Sequence, residues 1–368
     1  NVTNGGSLYL DGSAIKSQGV VAYGINNNKG SVTFSGGTIT TLCQQSHGVN
    51  SIGLGSRTDI NGTEITTQGN SAYGISGTSG AALIVNNTTL NTSGGGGYGI
   101  YLSDPGSTLT GTNNVINNSG VGGGTGIYIA YGGLNATLDD TTINMTNGYA
   151  GVSVGRDSTI TMDGLTATGN MNQVLDITGS ATVSNATIDL ASGAVLRAMG
   201  NSSINKAVII LNNINAISHS GNATMVNVNM NADVTINGGS YHSKGTYAMG
   251  IWVPDTTSSV KVNNAEFITE GDGATAIENR GTATVDSTVV RTSGNSSHGI
   301  YSESIFNATN MSISTAGVGS IGGTAARGGN LNLDGATINT SGDSGMVLGT
   351  FSSSSINAKN IAGTSTGA

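Results

Sequence analysis

Four stretches near the start of the chain can be laid over one another without a gap: LYLDGSAIKSQGVVAYGI (residues 8–25), VTFSGGTITTLCQQSHGV (32–49), TDINGTEITTQGNSAYGI (58–75) and LIVNNTTLNTSGGGGYGI (83–100). Leu8, Val32, Thr58 and Leu83 each stand seven residues before Ile15, Ile39, Ile65 and Leu90, and these stand ten before Ile25, Val49, Ile75 and Ile100. The seven-then-ten spacing returns at Val234, Tyr241 and Ile251, at Val260, Phe267 and Ile277, and at Ala283, Val290 and Ile300. A repeat of about 22 to 29 residues running through a chain is the mark of a solenoid, in which one small unit buries its apolar side chains only against its neighbours.

Around each anchor, apolar and polar residues alternate over a few positions, as in Val32-Thr33-Phe34 and Ile127-Tyr128-Ile129. Period two is the pattern of a strand with one buried face. Turn residues separate these runs: Asp11-Gly12, Asn61-Gly62 and Asp334-Gly335 after the first, Gly69-Asn70 and Gly294-Asn295 after the second. The expected fold is therefore all-β, a single-stranded right-handed parallel β-helix of about fifteen three-stranded coils stacked at about 4.8 Å. Unequal spacings argue against a hexapeptide left-handed helix. The expected organisation is one continuous domain over 1–368, with a distorted or inserted coil near 201–230. There Ile204, Val208, Ile210, Ile214 and Ile217 are present but the spacing drifts.

Composition agrees. Only 9% of the 368 residues are charged and 60 are glycine, which disfavours helices. Two prolines and no glycine triplet exclude collagen, and 36% hydrophobic content argues against disorder. A net charge of −8 argues against a nucleic-acid partner, which needs a basic stripe. A single cysteine, Cys43, permits no internal disulfide. No apolar run is long enough to span a bilayer, and the opening at Asn1 has no signal-peptide pattern, so a processed or trimmed soluble segment is expected.

The copies Ala22-Tyr23-Gly24-Ile25, Ala72-Tyr73-Gly74-Ile75, Gly97-Tyr98-Gly99-Ile100 and Ser297-His298-Gly299-Ile300 resemble the passenger domains of Gram-negative autotransporters (type V secretion), adhesin type. The resemblance covers the whole chain and is one of repeat style. It implies a β-helix exported to the bacterial cell surface by a C-terminal membrane barrel, and displayed there or released. It further implies a role in adhesion, self-association or, with an added protease domain, proteolysis. The barrel and an autochaperone-like region are expected to be absent from this stretch, so contact with a membrane is expected only through that barrel.

Gly342-Asp343-Ser344-Gly345 resembles the nucleophile motif of chymotrypsin-like proteases. Its register places it in a turn, because Gly342 follows Ile338 by four residues as Gly69 follows Ile65 and Gly294 follows Val290. Polysaccharide-degrading β-helix enzymes of the pectate-lyase and polygalacturonase kind need converging carboxylates, whereas here Asp139-Asp140 is the one adjacent pair and sits at the first turn. His47 and His298 fall in the column of Tyr23, Tyr73 and Tyr98, where packing is the expected role. His47, His219, His242 and His298 lack ligand spacing, so no metal and no cofactor are expected. Cys43, in the column of Gly19, Gly69 and Gly94, is expected near a corner. The chain is not expected to be an enzyme.

The alternation places the residue after each third anchor outside, in one column: Asn26, Asn50, Ser76, Tyr101, Tyr128, Ser153, Asp176, Trp252, Glu278 and Tyr301. Of these, Asn26, Asn50, Tyr101, Tyr128, Asp176, Trp252, Glu278 and Tyr301 are the candidate ligand-binding residues. The residue before each third anchor is repeatedly glycine (Gly24, Gly48, Gly74, Gly99, Gly126, Gly151, Gly250, Gly299) and is expected to point outward and leave a low, accessible strip. Rings beside such a strip suit sugars. Charged edges at Lys29, Arg57, Asp104, Asp255, Arg280 and Glu303 form a second candidate surface. The expected function is adhesion to host glycans such as glycosaminoglycans, or to matrix proteins such as fibronectin. The alternative is homotypic association of neighbouring cells in aggregation and biofilm formation.

Overall fold

Leu8, Val32, Thr58 and Leu83 pair in register as parallel neighbours. So do Ile15, Ile39, Ile65 and Leu90, and Ile25, Val49, Ile75 and Ile100. The computed structural model describes residues 1–201 and 205–367; among these there is no helix. The chain divides into two units, Asn1–Ser184 and Asn185–Ala368. Each is a right-handed parallel β-helix, about fourteen turns in all, with three strands to most coils; around the middle of the chain long strands such as Thr142–Val154 and Ala232–Ser243 run through a corner and join two of the three.

Inward residues form ladders of like side chains. Val32, Phe34, Ile39, Val49, Ile65 and Leu90 are fully buried, each worth roughly 1.5–3 kcal/mol of removed apolar surface. Strand amides bond to the coils on either side, so most backbone donors and acceptors are satisfied between coils.

The corner after each first strand explains much of the composition. In the first unit these corners hold left-handed residues: Gly12 (φ 55°), Gly36 (64°), Gly62 (61°), Asn87 (49°), Asn113 (55°), Asp140 (47°) and Gly164 (70°). The second unit uses Asn213, Gly238, Asn264, Ser287, Asn310 and Gly335 in the same role. Glycine, asparagine and aspartate enter this region at least cost. The asparagines also bond coil to coil, Asn113 Nδ2 donating to Asn87 Oδ1 at 2.9 Å and Asn87 Nδ2 to Asn61 Oδ1 at 2.8 Å.

The glycines before the third anchors do not form an accessible strip. A Cβ on Gly48 would lie 2.3 Å from Ile65 Cγ2 and 2.6 Å from the Gly74 carbonyl oxygen, and one on Gly99 would meet Ile116 Cγ2 at 2.5 Å. Gly48, Gly74, Gly99, Gly126, Gly151, Gly250 and Gly299 are buried. The chain bends into the strand at this point, so strict alternation fails and two consecutive residues face inward. Glycine is needed for room.

Where the apolar spacing drifts, the seven-then-ten register is kept by Ile209, Ala216 and Val226, all buried. Ile209 pairs with Val234, Ala216 with Tyr241 and Val226 with Ile251. Val208 and Ile210 lie on the other face, 43% and 36% exposed. Shifting a strand by one residue exchanges its faces, and β-branched residues on both sides hide the true anchor. Ile204 lies outside the described residues.

Candidate binding surface

In the first unit the residues after the third anchors form one column, pairing in the order Asn26, Asn50, Ser76, Tyr101, Tyr128, Ser153 and Asp176. In the second unit Trp252, Glu278, Tyr301 and Thr324 do the same. Asn50 Nδ2 donates to Asn26 Oδ1 at 2.8 Å. The column is less open than alternation implies, since Ser76, Ser153 and Asp176 are buried and the tyrosines are half-buried.

Ring stacking is the reason. Tyr23 stacks on His47 (centroids 5.3 Å, planes 14° apart), His47 on Tyr73 (4.4 Å, 5°), Tyr73 on Tyr98 (4.9 Å, 16°) and Tyr98 on Tyr128 (5.1 Å, 8°). Tyr101 lies against Tyr73, Tyr98 and Tyr128. In the coil of Tyr128, Thr125 occupies the Tyr98 position, so Tyr128 fills the space beneath Tyr98. Two candidate residues, Tyr101 and Tyr128, thus join four that spacing assigns to packing alone. The recurrence of an aromatic residue directly before glycine is the signal that marks them.

Stacking consumes ring faces. At centroid separations near 5 Å no sugar ring fits between neighbours, so within the ladder ring edges and hydroxyls, not faces, are presented. Burial pushes the Tyr73 phenol up to about 12, with Tyr98, Tyr101 and Tyr128 adding to it, and raises Tyr98 and Tyr128. These hydroxyls are neutral donors at any physiological pH. Burial also holds His47 down at about 4. Its Nδ1 accepts the Tyr73 amide at 3.0 Å, so in the neutral ring Nε2 carries the proton. Beside the ladder lies a cleft of about 210 Å³ lined by Val21, Tyr23, Gln45, His47, Ser71 and Tyr73.

The second unit builds a different patch. The Arg280 guanidinium lies 3.2 Å from Glu278 and 3.1 Å from Glu303, and Arg327 lies 3.1 Å from the other Glu303 oxygen. Burial raises the Glu278 carboxyl, against the pull of Arg280 and with a push from Glu303. Burial raises Tyr301 as well, with Glu303 adding to it. Arg280 and Glu303, expected at a separate charged edge, therefore join the Trp252–Glu278–Tyr301 column. Two guanidiniums, Arg280 and Arg327, thus stand against the two carboxylates Glu278 and Glu303 and balance their charge.

The remaining motifs fall where register puts them. Ser344 is a left-handed turn residue (φ 57°), and the Gly319 amide donates to the Asp343 carbonyl at 2.8 Å. Asp140 is a first-corner residue. His298, expected in the column of the tyrosines, pairs instead with Thr275 and Ile321 in the second unit and meets Tyr301 edge-on at 5.6 Å; burial lowers its pKa, and its Nδ1 lies 3.1 Å from Thr324 Oγ1. Cys43 is half-buried beside the Gln18 carbonyl. Among the described residues no group of three metal-ligating side chains comes together, and no helix is long and apolar enough to cross a membrane.

No family model matches the chain, and no curated protein matches it in sequence. The cryo-EM structure of the Vag8–C1 inhibitor complex is similar over 100% of this chain and 80% of that one, with TM-score 0.65 and 18% identity. That likeness is one of fold, a β-helix like an autotransporter passenger's. The mannuronan C-5 epimerase AlgE6 A-module of Azotobacter vinelandii aligns over 96% of this chain and 91% of that one, with 13% identity and a TM-score of 0.33, too low for a shared fold to be argued.

Proposed function

We propose that the chain is an autotransporter-type passenger, displayed on a bacterial surface or released from it, that acts as a non-catalytic adhesin for host molecules. The observation that carries this reading is the tyrosine ladder of the first unit, a row of half-buried rings at the surface. Tyrosine is the residue of recognition surfaces because it offers large contact area at small entropic cost. Vag8 was solved in complex with C1 inhibitor, which supports a folded host protein as one partner class. Matrix proteins such as fibronectin fit the ladder's edges and hydroxyls. Host glycans fit Trp252, whose ring has no aromatic neighbour among the described residues, better than Tyr101 or Tyr128. Sulfated glycosaminoglycans fit an acidic chain least.

The test is binding of the purified chain to immobilised fibronectin, C1 inhibitor and a glycan array. Changing Tyr101, Tyr128 and Trp252 together to Ala is expected to weaken retention at least about tenfold, or about 1.4 kcal/mol. Undiminished binding on every surface rejects the aromatic columns as the site. Release of reducing ends from pectin, glycosaminoglycan or capsular polysaccharide would replace adhesion with catalysis.

Self-association is the second reading, favoured by the outward amide ladder of the second unit. Asn332 Nδ2 donates to Asn307 Oδ1 at 2.8 Å and Asn357 Nδ2 to Asn332 Oδ1 at 2.9 Å. Asn332, bonded on both sides, keeps one donor and one acceptor for a second copy. Light scattering that rises with concentration supports it.

A further inference from the structure

The cleft beside the Tyr23–His47–Tyr73 stack has the chemistry of a peptide groove. Its lining combines the three stacked rings with Val21, 50% exposed, and the polar side chains of Gln45 and Ser71. Nothing in the lining is charged at neutral pH. Its donors are the Tyr23 and Tyr73 hydroxyls, His47 Nε2–H and the Gln45 amide. Neither tyrosine hydroxyl has a hydrogen-bond partner among the described residues. An uncharged groove rich in donors and apolar edges complements an uncharged chain rich in free carbonyls. A polyproline II segment is such a chain, since its backbone makes no internal hydrogen bonds and its side chains are rigid apolar rings.

The repeat lengths also agree. Tyr23 and Tyr73 are two coils apart, about 9.6 Å at ordinary strand spacing. Three residues of polyproline II advance about 9.3 Å. We propose that this cleft takes a proline-rich partner segment in the polyproline II conformation, with ligand residues i and i+3 set over Tyr23 and Tyr73. Prolines at i and i+3 pack on Val21 and the ring edges, while the carbonyls between them accept from the tyrosine hydroxyls and His47 Nε2. Aromatic grooves recognise such segments because the ligand is already ordered before it binds. The inference rests on the host-binding reading only for the source of the peptide.

The experiment is fluorescence anisotropy of labelled deca-proline titrated with the whole chain, beside a Gly-Ser decamer and a (Pro-Pro-Gly)10 triple helix. Saturable binding of deca-proline and none of the decamer is expected. Tyr23→Phe with Tyr73→Phe, which keeps the stack and removes both hydroxyls, should weaken it about tenfold, whereas Tyr9→Phe, 70% exposed outside the cleft, should not. The proposal is overturned by absence of saturation up to about 1 mM, by equal binding of the double Phe variant with an unchanged melting curve, or by binding of the triple helix alone. Retention on fibronectin or C1 inhibitor alongside any of these leaves the host-binding reading standing and removes only this one.

Discussion

Among the described residues Tyr241 is the largest fully buried side chain, stacked on Phe267 at 5.0 Å, and its hydroxyl finds no hydrogen-bond partner there. An unpaired buried hydroxyl costs more than it returns. Tyr241→Phe should raise stability by about 1 kcal/mol, read as a higher urea midpoint at unchanged slope. His47 makes the opposite kind of contribution. Its folded pKa is held near 4 by burial between Tyr23 and Tyr73, below the ordinary 6.5. The unfolded chain therefore takes up the proton first. The stabilisation is complete above pH 6.5 and is lost as pH falls toward 4, by about 3 kcal/mol at most. His298, also lowered, acts in the same sense. Chemical denaturation of His47→Gln should show a shallower loss between pH 6.5 and 4 than the natural chain; identical slopes would mean that the imidazole is solvated.

At the scale of the strand and its corner, the left-handed residue after each first strand carries the geometry. Asn87 adopts it and also stands between Asn61 and Asn113 in an amide ladder. Asn87→Ala loses both the tolerance for that backbone and the two bonds, and should cost about 1–2 kcal/mol by denaturant unfolding. Asn87→Gly, which keeps the backbone and loses the ladder, should cost less. Equal losses would place the whole effect in the side chain. These corners were readable from Asp11-Gly12 and Asn61-Gly62 because a turn that demands positive φ leaves few residues to choose from. The bend before each third anchor was not readable as such. Gly24 and Gly48 occupy positions that alternation assigns to the outside, and only the second-strand isoleucine pressing on them reveals that they face in.

For the whole chain, the ladders of Val32, Ile39 and Val49 with their partners were legible, because a solenoid repeats its burial pattern with every turn and each copy checks the last. Most of the surface was legible as register and not as contact. Spacing aligns Tyr101 with Tyr128 and Trp252 with Glu278. It cannot say that Tyr73 leans across to Tyr101 over the small Ser76, or that Arg280 settles between two carboxylates, since both depend on side-chain direction. The candidate surface is thus fixed in position by the backbone and in chemistry by rotamers.

Residue-for-residue pairing of successive coils has one further result. Where paired positions hold like residues, as at Ile15, Ile39 and Ile65, a complete repeat could be deleted or copied and its neighbours would still meet partners of the same kind. Length in such a protein is free to drift, and selection can adjust how far a recognition patch stands from its anchor without redesigning any interior contact.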